Sequence, residues 1–107
     1  METGEYVRLK SGEIFKADEN TANYYNANKE YITNEVEKHS LNILDLMEIR
    51  DFINTDYGWG WFVRKNNENE ILLDTGDEYI EVEKDQIQGI LTNEKMEESI
   101  YRIKKEE

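Results

Sequence analysis

The stretch Tyr57–Glu83, YGWGWFVRKNNENEILLDTGDEYIEVE, decides the fold. Trp59, Trp61 and Val63 alternate with Gly60 and Phe62, the two-residue period of a strand with Phe62 on the opposite face. Asn66 to Asn69 supply a turn. Ile71 to Leu73 and Tyr79 to Val82 are β-prone runs around Asp74-Thr75-Gly76-Asp77, which predicts a hairpin.

Working outward, Ile49 to Ile53 reads as a strand entering the Thr55-Asp56-Tyr57-Gly58 turn, and Gln88 to Leu91 as a last short strand. Thr92 then caps a helix through Lys95 to Ile100. Near the N-terminus, Tyr6 to Leu9 and Glu13 to Lys16 flank Lys10-Ser11-Gly12 as an opening hairpin. Between them, Ala17 to Ser40 supports two readings. Tyr24, Tyr25, Tyr31, Ile32, Thr33 and Val36 favour strands around a turn at Asn26-Ala27-Asn28, whereas a helix through Tyr31 to His39 competes. Ser40 is placed to cap one helical turn in LNILDLM.

Short strands at close spacing point to a mainly β fold, α+β at the margin. The expected architecture is a small SH3-like barrel or a half-open twisted sheet with one or two short helices. The absence of proline and of any Gly/Ser-rich linker predicts a single domain over residues 1–103, with 104–107 a frayed charged tail.

The 107 residues carry 13 basic and 25 acidic side chains, a net charge of −12 that repels phosphate backbones and anionic membrane surfaces. Direct nucleic-acid binding and membrane association are therefore not expected. With no cysteine there are no disulfides or thiolate sites, which suits the cytoplasm. No apolar run approaches the length of a membrane span.

Leu72-Leu73-Asp74-Thr75-Gly76 resembles the apolar-Asp-Thr-Gly signature of retroviral-type aspartic proteases. Asp77 follows where that family has a small residue, and only 31 residues remain, so these are turn residues. His39 is the single histidine, and a relay with its neighbour Ser40 would need adjacent side chains to converge. No nucleophile–base pair, phosphate-cradling loop, metal-ligand spacing or cofactor motif is legible, so the chain reads as non-enzymatic with no cofactor. The acids between Glu68 and Asp85 lack the loop spacing of a calcium-binding hand.

Two surfaces are candidate contact sites. Glu68, Glu70, Asp74, Asp77, Glu78, Glu81, Glu83 and Asp85 are offset within their segment only by Lys84, and Glu81 and Glu83 alternate with Ile80 and Val82 as a solvated strand face. Tyr57, Trp59 and Trp61 form a possible aromatic row. Large apolar residues are scarce, so at least one of the two tryptophans is expected in the core.

The run Glu35–Asn54, EVEKHSLNILDLMEIRDFIN, resembles a segment of small uncharacterised phage and prophage proteins of Firmicutes-type bacteria. Lys38-His39-Ser40, Asn42, Asp45-Leu46 and Asp51-Phe52-Ile53-Asn54 carry the likeness, with Arg50 where that pattern has glycine. Gln88 to Met96 and Arg8 to Gly12 are further matches. The resemblance implies a phage or prophage origin, a small β-rich fold and a structural joint at His39-Ser40, and it implies no activity. The favoured function is an acidic protein presenting carboxylates to a basic protein partner, in competition with nucleic acid. A virion assembly component and a small-ligand-binding barrel are the alternatives.

Overall fold

The computed structural model describes residues 1–98, so the expected frayed tail at 104–107 lies outside the described residues. The fold is mainly β, with two antiparallel sheets, and neither sheet closes into a barrel. The chain divides into two compact units, Met1–Leu46 and Met47–Glu107.

In the first unit, β1 (Tyr6–Leu9) is central between β2 (Ile14–Lys16) and β3 (Val36–Ser40). The opening hairpin forms as its turn residues predict. Gly12 N–H donates to Leu9 O at 2.9 Å, and its φ of 94° is the left-handed geometry that favours glycine. Ala17 to Ser40 departs from the strand reading. Helices α1 (Glu19–Ala27) and α2 (Lys29–Glu35) occupy most of it, and β3 begins where the competing helix would have continued.

Local chemistry explains the difference. Asp18 accepts from Thr21 N–H at 2.8 Å as the N-cap of α1, and Glu19 complements the first turn. Asn28 ends that helix, its backbone N–H meeting the Tyr24 and Tyr25 carbonyls and its side-chain amide meeting Tyr24 O. Tyr25 is buried against Val7, Ala17 and Val36, so tertiary packing overrides the β preference of tyrosine. Met1, Leu9, Phe15, Tyr31 and Ile32 complete this core.

His39 and Ser40, the last residues of β3, send their side chains to opposite faces, because His39 pairs with Val7 and Ser40 with Tyr6. Ser40 Oγ donates to Asp45 at 2.7 Å and accepts from Asn42 N–H, while Asn42 Oδ1 accepts from Leu44 N–H. These bonds start the 3₁₀ turn Ile43–Leu46, which buries Leu44 and Leu46. On the other face His39 Nδ1 lies 2.9 Å from Glu5 Oε1.

In the second unit the strands β4 (Phe52–Thr55), β5 (Gly58–Asn67), β6 (Glu70–Asp74), β7 (Tyr79–Glu83) and β8 (Ile87–Leu91) form one sheet ordered β7-β6-β5-β4-β8. Its inner face buries Ile53, Phe62, Ile71, Leu73 and Val82. Residues 93–98 are helical after Thr92, whose carbonyl accepts from Met96 N–H. The expected strand from Ile49 instead begins at Phe52, because Ile49 and Arg50 form a turn. Arg50 has φ 81°. Asp51 is fully buried, and its carboxylate accepts from Glu48 N–H at 2.8 Å and from Asn93 N–H at 3.0 Å.

A left-handed arginine costs about 1–2 kcal/mol that glycine avoids, less the larger entropy glycine loses on folding. Arg50→Gly is expected to raise stability by about 0.5–1 kcal/mol in urea unfolding.

Glu5 makes a second prediction. Its burial raises the pKa, but the Glu2 backbone N–H and the His39 ring outweigh that and hold it below its ordinary value. A carboxylate depressed in the folded state contributes stability above its unfolded pKa, and that contribution is lost as pH falls through the folded value. The stability gap between the native chain and Glu5→Gln should therefore shrink as the pH falls below about 4, measured by urea titration at stepped pH.

Candidate functional site: an acidic and aromatic sheet face

Residues paired across an antiparallel ladder share a face. One row crosses all five strands as Leu91, Phe52, Trp61, Asp74 and Tyr79, and the row beside it holds Gly89, Asn54 and Trp59. Further along, Arg64, Leu72 and Glu81 align, then Glu70 and Glu83. This outer face is opposite the buried layer.

Neither tryptophan is in the core: Trp59 is 46% and Trp61 44% exposed, which corrects the burial expected for one of them. Gly60 lies between them, so strand parity puts a glycine inward, while Gly58 is exposed at the turn end of β5, with φ 107°. A Cβ at Gly60 would meet Leu73 Cβ at 3.0 Å, so the space under the strand is already filled by leucine. A bulge between Phe62 and Arg64 takes Val63 out of register, and Arg64 takes the outward position expected of it.

The tryptophans stand in a three-ring stack. Phe52, reaching over from β4, lies 4.9 Å from the Trp59 ring with a 19° interplanar angle and 4.6 Å from the Trp61 ring with a 39° angle. One face of each indole is thus engaged by Phe52. Tyr57 does not join the row as expected. It occupies the β4–β5 turn, where its hydroxyl accepts from Gln86 Nε2 at 2.7 Å.

Trp61 also lines two open clefts. The larger, about 340 Å³, is shared with Ile49, Arg50, Phe62, Val63 and Asp74, and the smaller, about 220 Å³, with Arg50, Asn93, Met96 and Glu97. Both are shallow hollows beside the stack.

The carboxylates divide into groups. Glu70, Asp74, Glu81 and Glu83 share the outer face with the aromatic stack. Glu68 lies in the β5–β6 turn, ion-paired to Lys65 at 2.8 Å. Asp77 and Glu78 are in the β6–β7 turn, and Asp85 is in the 3₁₀ turn Lys84–Gln86. Asp74 Oδ1 accepts from Gly76 N–H at 2.8 Å, Thr75 Oγ1 donates to Glu78 O, and Gly76 has φ 94°. Asp-Thr-Gly here builds a hairpin turn.

Among the described residues no three His, Asp or Glu side chains converge as a metal-ligand set. No helix among them is long and apolar enough to cross a membrane. Residue patterning in Tyr57–Glu83 identified the strands and the acids but missed three contributors. Phe52 reaches the face through β4–β5 register and Arg50 through the turn geometry before β4, whereas alternation with Ile80 was a signal that could have placed Tyr79 beside Glu81.

Removing a half-exposed ring stacked on one side should cost far less than emptying the core. Trp61→Ala is expected to lose about 1–2 kcal/mol, whereas Leu73→Ala should lose about 2–5 kcal/mol, both read by urea unfolding.

Comparison of the chain with protein-family models, curated proteins and solved structures finds no match.

Proposed function

We propose that this chain is a non-enzymatic, acidic interaction protein that presents its outer sheet face to a basic protein partner. The observation that carries this reading is the continuity of exposed indoles with carboxylates on one face: Trp59 and Trp61 beside Asp74, Glu70, Glu81 and Glu83. Lysine or arginine side chains suit both halves of such a surface. Their cations pair with carboxylates and are attracted to indole faces, where a guanidinium also stacks.

The charge of −12 adds long-range steering toward a positive partner. A surface that otherwise holds nucleic acid is the kind of partner this favours, because the same basic groups would serve both. The likeness of Glu35–Asn54 to phage and prophage proteins supports an origin in a phage or prophage and action in the host cytoplasm.

Salt and charge neutralisation test the proposal. Binding to a partner isolated from lysogenic host extract should weaken steeply as salt rises, since screening acts over about 8 Å at physiological ionic strength. Glu81→Gln with Glu83→Gln should weaken it about tenfold at low salt. The same loss of charge at the exposed Glu30 and Glu37, in the first unit, should cost less than twofold. Equal losses from the two pairs, or salt-independent binding, would refute a localised acidic face.

A further inference from the structure

β7 is an edge of the five-stranded sheet, and its hydrogen-bonding phase can be read directly. Thr75 N–H donates to Glu78 O and Lys84 N–H to Asn69 O. Antiparallel ladders alternate bonded and non-bonded pairs, so Ile80 faces Leu73 and Val82 faces Ile71 with their N–H and C=O groups engaged. The N–H and C=O groups of Tyr79 and Glu81 therefore point away from β6, along the open edge. Glu83 N–H, in the same phase, is taken by Gln86 Oε1 at 3.0 Å, which closes one end.

An open edge is a template for another strand. We infer that the β7 edge accepts an extended basic segment of the partner as a sixth strand, an inference that rests on the acidic-face reading above. Two features select that occupant. Glu81 and Glu83 project from this strand on the outer face, so the incoming strand should carry lysine or arginine there. Ile80 and Val82 project on the inner face, so its alternate residues should be apolar. A second copy pairing β7 to β7 would bring glutamates against glutamates, which like-charge repulsion opposes. The opposite edge, β8, has no charged residue from Ile87 to Leu91, so it lacks this selectivity.

The test uses two capped eight-residue peptides of equal charge, one alternating lysine with valine and the other the same sequence with every lysine N-methylated on its backbone nitrogen. The lysines lie opposite Tyr79 and Glu81, so their N–H groups are the ladder donors, and only the first peptide keeps them. The Lys/Val peptide should bind the native chain at low salt and slow hydrogen exchange at the Tyr79 and Glu81 amides. Tyr79→Pro removes one outward donor at the first residue of an edge strand, a position where proline is tolerated, and leaves every carboxylate in place. It should weaken binding of the unmodified peptide at least tenfold and leave binding of the N-methylated peptide unchanged.

If both peptides bind the native chain and the Tyr79→Pro variant alike, or the two amides exchange at unaltered rates, strand addition is refuted and the acidic face stands. If neither peptide binds at low salt, both readings fail. Should Tyr79→Pro lose its tryptophan near-ultraviolet spectrum, showing misfolding, exchange at the two amides in the native chain decides.

Discussion

The buried carboxylate of Asp51 is the constraint around which the second unit is organised. A desolvated charge is tolerated only when its lone pairs are met, and here one oxygen takes Glu48 N–H while the other takes both the backbone and side-chain N–H of Asn93. The first bond holds the turn before β4, and the other two hold the start of the 93–98 helix. β4 lies between β5 and β8, so fixing its entry aligns the strands on both sides.

That alignment generates the outer face. Phe52 follows Asp51 directly, and its register against Trp61 and Leu91 is what wedges its ring between the two indoles. A one-residue slip would send Phe52 inward and Ile53 out, dismantling the aromatic stack and the apolar layer together. Arg50 in its left-handed conformation is the local cost of this arrangement.

Elements whose local pattern and final environment agree were legible from residues alone. The Tyr6–Lys16 and Ile71–Val82 hairpins, the helical turn in Ile43–Leu46 and the outward placement of Glu81 and Glu83 all follow from turn chemistry or strand alternation, although the side chain at the cap of that turn is Asn42 and not Ser40, which ends β3. Tyr24, Tyr25 and Tyr31 misled because their β preference is weaker than the Asp18 cap and the burial of Tyr25. The tryptophans misled for another reason: scarcity of large side chains argues for burial, but alternation with glycine gives the inward space to Leu73. Phe52 comes to the face through its pairing with Trp61, which alternation within its own strand does not reveal, whereas the alternation that turns Glu81 outward already carries Tyr79 with it.

Each unit is drawn from one continuous stretch of chain, which gives synthesis an order. The first sheet needs nothing beyond Ser40 to pair all three of its strands, so it can form while the ribosome is still adding residues. The second sheet grows by successive hairpins from β4 to β7, but β8 pairs back to β4, matching Leu91 with Phe52. Until that last strand emerges, β4 is an open edge carrying Phe52 beside Trp61. Translation therefore leaves this nascent sheet exposed longest at the strand that anchors its aromatic stack, the interval in which a chaperone or a premature partner would meet it.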